Sequence, residues 1–347
     1  MKQLLFDLCR IGGVSGSEEP IAKFCAEKLS AFADTTIDKN GNVIATLGNA
    51  NADKTILLDA HLDRIGFIVT SINENGFVKV ASCGGIDVRV LSDAVLVSCS
   101  DEPVKGVVCC MPPHLSDGGE DKAAPIDKVW IDFGLPYEKV AEKIKIGDVL
   151  TFYGEPKELM NNRITAPALD DRCGIAALIR CAELIGKKEL SYKVVILLSV
   201  QEETYGTGAK TGAYRINADE AIAVDVSFAS QPDVSGQYAG IELAKGPMIC
   251  ISPILSKAMS DKLISVAKEK NIPFQYEPIS GTTGTNADHI SVTKSGVASA
   301  VVSIPQRYMH TPIEVIDISD VENTAALLAE YIICLLYTSD AADDLLC

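Results

Sequence analysis

Residues 194–209 read VVILLSVQEETYGTGA. Val194 to Leu198 is a continuous β-branched and leucine run of strand length, the pattern of a parallel strand covered on both faces. Gln201, Glu202 and Glu203 follow almost at once. Two adjacent carboxylates at the end of a buried strand lower stability unless something cationic or catalytic uses them. The Thr-Tyr-Gly-Thr-Gly that comes next has loop chemistry. The pair therefore falls where open α/β sheets hold their ligands, outside the carboxyl ends of the strands.

Working outward, the same alternation of buried strand and helix recurs. Thr55 to Ala60 (TILLDA) is a second buried strand, with His61-Leu62-Asp63 at its end. Asp171–Ile185 reads as an almost all-round apolar helix, Glu220–Val226 and Val297–Ser303 as strands, and Ser256–Lys270 and Asp320–Ile333 as helices. Upstream, helical patterns cover residues 2–10 and 17–32. The second is expected to start on a Ser cap in Ser15-Gly16-Ser17-Glu18-Glu19-Pro20. A hairpin of Thr35–Asp38 and Val43–Leu47 turns at Asn40-Gly41. These elements predict an α/β fold with a mostly parallel sheet covered by helices.

The character changes between Phe67 and Asn162. Short alternating segments dominate there: FIVTSI, GFVKVAS, AVLVSC, VKGVVCC, KVWIDFG and DVLTFYG, with one short helix at Tyr137–Ile144. This strand density predicts an inserted all-β, barrel-like module. The expected organisation is a discontinuous catalytic domain over residues 1–66 and 163–333, interrupted by the β module at 67–162. The stretch CLLYTSDAADDLLC at 334–347 abruptly changes character and resembles a translated sequencing adapter, so it is expected to be a non-native tail and is left out of the fold.

Lys plus Arg number 31 against 47 Asp plus Glu, for a net charge of −16. That excludes nucleic acid and anionic membrane as expected partners, and no apolar run approaches membrane-spanning length. MKQLLFDLCRIGG, interrupted by Asp7 and Arg10, has no signal-peptide pattern. The 11 cysteines show no CxxC spacing, which points to reduced thiols and a cytoplasmic location.

Several familiar motifs fail. Gly206-Thr-Gly208-Ala-Lys210-Thr211 lacks the first glycine of a phosphate loop and the glycine before Lys210. No GxSxG elbow and no HExxH occurs. What remains is a set of polar residues at strand ends: His61 and Asp63, Asp170-Asp171, Glu202 and Glu203, Asp225, and His310 in QRYMHTP. Taken singly, each is more often a cap, a turn residue or a solvated side chain. Together, two of only 4 histidines fall beside this carboxylate set. Imidazole plus carboxylate suits zinc, cobalt or manganese, and carboxylates facing one another without a cation repel. The group makes sense around two divalent cations.

The stretches GVSGSEE, AHLDRIGF, GVVCCMPPHL, ALDDRCG, SVQEE, AIAVDV and RYMHTPIEV, in this order, resemble the M42 family of metallo-aminopeptidases, the glutamyl and tetrahedral aminopeptidase group. The resemblance covers nearly the whole chain up to Ile333. It implies an enzyme, a metallo-aminopeptidase that removes N-terminal residues from short peptides. It further implies that Asp170 bridges two metals, that His61 and Asp225 complete one and Glu203 and His310 the other. Glu202 would be the general base, and Asp63 would hold the second nitrogen of His61. A cis peptide between Asp170 and Asp171 is implied as well. So is a β module that mediates dimers, with dimers building a hollow homo-oligomeric dodecamer.

Where many members carry a glutamate after HLD, this chain has Arg64, expected here to face solvent. Some such proteins carry an endoglucanase label. No paired-carboxylate and aromatic sugar platform supports that reading, and the single Trp130 lies in the insert. The alternatives are an amide hydrolase, such as a deacylase of N-acyl amino acids, on the same metal scaffold, and a non-catalytic oligomeric binding protein.

Overall fold

The computed structural model describes residues 1–111, 123–186, 188–232 and 234–342, without the side chains of Gln237 and residues 336–342. The PPHL end of GVVCCMPPHL, the last residues of the adapter-like segment (343–347) and its Asp340 side chain lie outside this description.

Helices α1 (Lys2–Arg10) and α2 (Glu19–Leu29) lead into β1 (Asp34–Ile37), β2 (Val43–Gly48) and β3 (Thr55–His61). A run of short strands follows: β4 (Gly66–Ile72), β5 (Val78–Cys83), β6 (Val95–Ser98), β7 (Lys105–Val108) and β8 (Trp130–Asp132). Then come α3 (Tyr137–Lys143), β9 (Val149–Phe152), β10 (Lys157–Glu158) and β11 (Arg163–Ala166). The chain returns through α4 (Leu169–Ile185), β12 (Lys193–Ser199), α5 (Thr207–Ile216), β13 (Glu220–Phe228) and β14 (Met248–Ile251). It closes with α6 (Lys257–Glu269), β15 (Gln275–Pro278), α7 (Ala287–Ile290), β16 (Ala298–Gln306), β17 (Glu314–Asp317) and α8 (Ile318–Ala342).

The main sheet has 8 strands in the order β1-β2-β12-β3-β13-β16-β14-β15. Its centre, β12-β3-β13-β16, is parallel. β2 runs antiparallel to β12, and β14 antiparallel to β16. The apolar run of β12 is explained by its two faces. Val194, Ile196 and Leu198 enter a core shared with α1, α2, α4, α6 and α8, while Val195 and Leu197 enter a second core with α5 and α7. A strand buried on both faces cannot alternate polar and apolar residues.

The six apolar segments expected to form a barrel close as β4-β5-β8-β7-β6-β9. Phe67, Val80, Leu96, Ile131, Leu150 and Phe152 fill the interior, with the Phe67 and Phe152 rings edge-to-face at 5.3 Å. A separate small sheet, β10-β11-β17, pairs strands with no counterpart in the sequence pattern.

Two local expectations are corrected. No serine caps α2: its N-cap is Glu18, without a side-chain cap, and the Ser15 hydroxyl donates instead to Asp63. The Gly-rich segment after the glutamates is also not an extended loop, because α5 starts at Thr207. Gly206 has φ +64°, and a Cβ on Gly208 would lie 2.3 Å from the Val200 nitrogen. Those glycines permit a sharp strand-to-helix turn and a close approach. Helix α8 runs on to Ala342, past the expected end at Ile333, and Cys334 and Leu335 pack against the main core. No helix of the described residues is long and apolar enough to cross a membrane.

Candidate metal centre and active site

The parallel strands deliver their carboxyl ends to one edge of the sheet. His61 is the last residue of β3, Glu202 and Glu203 follow β12, Asp225 lies in the second half of β13, and His310 lies just past β16. Asp170 comes from the first turn of α4, joined to Asp171 by a cis peptide bond. Ala168, Gln201 and His310 all have positive φ, at 68°, 59° and 62°. Such conformations cost non-glycine residues free energy and cluster where function needs them.

Asp170 stands between the two imidazoles. Its Oδ1 is 3.0 Å from His61 Nε2 and its Oδ2 is 3.3 Å from His310 Nε2. Asp225 Oδ1 lies 3.9 Å from His61 Nε2, and Glu203 Oε2 3.4 Å from His310 Nε2. Candidate ligand atoms thus fall into two trios, His61-Asp170-Asp225 and Asp170-Glu203-His310, each with its atoms within 4.8 Å of one another. Glu202 Oε2 is 4.0 Å from His61 Nε2, with its side chain 18% exposed. A cleft of about 380 Å³ opens over the group, walled by Phe228, Tyr238, Thr285 and Met309.

The electrostatics fit cation binding. Burial first, then the negative charge of Asp170, pushes the Glu203 carboxyl well above the usual carboxylate range. Burial and the nearby carboxylates, Asp171 foremost, do the same to Asp225. Burial also raises Glu202. At His61 burial opposes the charged form, but the contact with Asp170 and the nearby Asp63 carboxylate outweigh it and raise its pKa. Glu203 Oε1 is buried without a hydrogen-bond partner. Converging buried carboxylates and an orphaned oxygen are what a hard or borderline cation satisfies.

The supporting contacts refine the expectation for Asp63, which reaches the second nitrogen of His61 through its carbonyl, and correct that for Arg64. His61 Nδ1 lies 3.0 Å from the Asp63 carbonyl oxygen, which can only accept, so Nδ1 carries the proton and Nε2 faces the carboxylates. The Asp63 carboxylate is 3.6 Å from Nδ1. It accepts instead from the backbone N–H groups of Glu202 (2.9 Å) and Glu203 (3.1 Å). Arg64 does not face solvent: it is 3% exposed.

Sequence reasoning missed Glu314. Its Oε2 accepts the Asp170 N–H at 3.2 Å and its Oε1 the His310 N–H at 3.0 Å. Its place four residues after His310, opening a short strand, was the available signal. Asp171, recognised only as a neighbour, accepts the His61 N–H at 3.3 Å and the Gly174 N–H at 3.0 Å.

The fold is that of solved aminopeptidases with which the chain aligns over most of its length. A solved aminopeptidase of the archaeon Desulfurococcus kamchatkensis is 34% identical, with TM-score 0.88, covering 95% of this chain and 93% of its own. The TET1 peptidase of Pyrococcus horikoshii is 29% identical, with TM-score 0.85, covering 95% of this chain and 98% of its own. The lysyl aminopeptidase of Pyrococcus furiosus is 35% identical over 94% of both chains. The family profile described as M42 glutamyl aminopeptidase matches residues 41–327. The chain belongs to that family and is an aminopeptidase.

Proposed function

We propose that this protein is a dinuclear metal-dependent aminopeptidase that removes N-terminal residues from short peptides. The observation that carries the reading is the position of Asp170, one carboxylate oxygen toward each imidazole and common to both trios. Asp170, His61 and Asp225 would hold one divalent ion; Asp170, Glu203 and His310 the other. Two such ions supply Lewis acidity and an activated water when bound. Zinc, cobalt and manganese all suit this donor set.

The remaining work belongs to side chains. Glu202 is the partly open carboxylate beside the cluster, and burial raises its affinity for a proton. It takes the proton of the attacking water and returns it to the leaving amine. Asp63 fixes the loop that carries Glu202 and Glu203. The acidic pocket favours a substrate with a cationic amine at its end, which suits a free N-terminus over an acylated one.

Assembly follows the same reading. The P. horikoshii relative is a peptidase that can assemble into a tetrahedron or a large octahedral shell. On the barrel, Val107, Met111 and Ile146 are 51%, 67% and 72% exposed. They support the insert at 67–162 as a contact between copies, and the sheet domain at 1–66 and 163–333 as the catalytic unit. Dimers through the insert build a homo-oligomeric dodecamer whose interior admits short or unfolded peptides. The described cysteines are free thiols, in keeping with the reducing cytoplasm.

Aminoacyl-anilides and N-acyl amino acids, assayed after chelation and with zinc, cobalt or manganese returned, test the activity. Anilide turnover restored by metal is expected; deacylation alone overturns the reading. Light scattering tests the assembly. A stable monomer with full activity on short peptides would remove any role for it.

A further inference from the structure

A second charged cluster, outside the ligand trios, lies at the seam between the sheet and the barrel. Arg64 and Arg172 are 3% and 0% exposed. Neither has an ion-pair partner among the described residues, and Arg64 Nε and the Nε, Nη1 and Nη2 atoms of Arg172 are buried without a hydrogen-bond partner. Burial pushes Arg172 down to about 10, and repulsion from Arg64 adds to the fall. The thiols nearby do not neutralise the pair, because burial pushes Cys9 up to about 12 and raises Cys99 as well. The carboxylates of Glu314 and Glu203 attract Arg64, and that of Asp63 attracts Arg172, without contacting them. Guanidiniums buried without a direct partner are unfavourable.

Arg64 also lines a cavity of about 470 Å³. Ser17, Ser98 and Ser100 bring hydroxyls to its wall, and Lys105 and Arg10 further positive charge. Of the two carboxylates there, Asp101 and Glu155, the second is held by Arg10 at 3.2 Å. We propose that this cavity is a binding site for a small oxyanion of the sulfate, phosphate or carboxylate class, seated on Arg64. The planar fork of a guanidinium matches the paired oxygens of such an anion, and serine hydroxyls add donors. Occupancy adds a negative charge in direct contact with Arg64, whose Nε is buried without a hydrogen-bond partner.

The test is thermal unfolding and titration calorimetry of the metal-loaded full chain with sodium sulfate, against sodium chloride at matched ionic strength. Sulfate also stabilises proteins by exclusion from their surface, so the variants decide the outcome. Arg64→Glu replaces the guanidinium on the cavity wall with a carboxylate that repels an anion. Wild type is expected to show a saturable rise in Tm of about 2–4 °C with a matching calorimetric isotherm. Arg64→Glu is expected to lose both. His310→Ala, altered in the metal pocket, is expected to keep the sulfate response. Equal responses in wild type and Arg64→Glu would overturn the site. So would a response lost in His310→Ala but kept in Arg64→Glu, which would put the anion among the metal ligands. An equal effect of chloride would overturn the oxyanion assignment.

Discussion

The Asp63 carboxylate accepts the backbone N–H of Glu202 at 2.9 Å. Its other oxygen takes the N–H of Glu203 at 3.1 Å. A residue two positions beyond one metal-ligand candidate thus fixes the loop that carries another, together with the base. Asp63→Asn leaves one acceptor where two N–H groups need one each. The expected result is a loss of about 10–100-fold in kcat/KM, the usual worth of such supporting contacts. Metal content is expected to hold, because the Asp63 carbonyl that orients His61 survives the substitution. Steady-state kinetics with elemental analysis checks both; unchanged kcat/KM would remove the loop-fixing role.

The neighbouring glutamates separate by metal content. Glu202→Gln is expected to keep both ions while kcat drops by about 10²–10⁴, the worth of a positioned proton acceptor. Glu203→Gln is expected to lose one ion preferentially, and Asp170→Asn to disturb both. Identical metal content in the two glutamine variants would defeat the division of roles.

Glu314 holds the backbone of Asp170 and His310 from beneath. Glu314→Gln withdraws one of the two acceptors and turns an amide N–H toward a backbone donor. Metal affinity is expected to weaken by about 10–100-fold. The measurement is the chelator concentration that halves activity, compared with wild type at equal protein. An unshifted midpoint would mean that β17 merely packs there.

A pH effect is expected at Glu18. Burial pushes its carboxyl up to about 7, even though its Oε1 accepts the N–H groups of Gly16 and Gln201. The folded state therefore holds this proton more tightly than the unfolded chain. That stabilisation is complete below about pH 4.5 and is lost as the pH rises through about 7. Glu18→Gln retains the accepting oxygen and carries no charge. Its Tm is expected to match wild type near pH 5 and to exceed it at pH 8, by the equivalent of about 1–3 kcal/mol. Parallel Tm curves across that range would refute the linkage.

Much of this was legible in the chain because it is local. The run at 194–198 named a strand covered on both faces, and Val194, Ile196 and Leu198 do enter one core while Val195 and Leu197 enter the other. The six alternating segments of the insert became the barrel because their period and turns already matched β structure. His61, Asp63, Asp170, Glu202, Glu203, Asp225 and His310 stood out because charged groups at the ends of apolar runs are costly unless used. All seven come together at the carboxyl edge of the parallel strands.

The rest depends on what lies across from a residue, which a chain read in order does not state. Arg64 is a charged residue in a turn by sequence, yet it is buried, beside the end of α1 and the barrel segments that line its cavity. Glu314 reads as an ordinary surface acid; β17 turns it under Asp170, over 140 residues away along the chain. The antiparallel pairing of β2 with β12 is likewise a long-range choice. Sequence by itself determined the element types, the insert and the chemistry of the candidate ligands, since those follow from local periodicity and residue type. Tertiary structure alone decided the distances at which the carboxylates meet the imidazoles, that Asp63 holds the His61 ring through its carbonyl and the Glu202–Glu203 loop through its carboxylate, and that two arginines share one interior. Those outcomes depend on distances between segments far apart in the chain, and only the packed fold sets them.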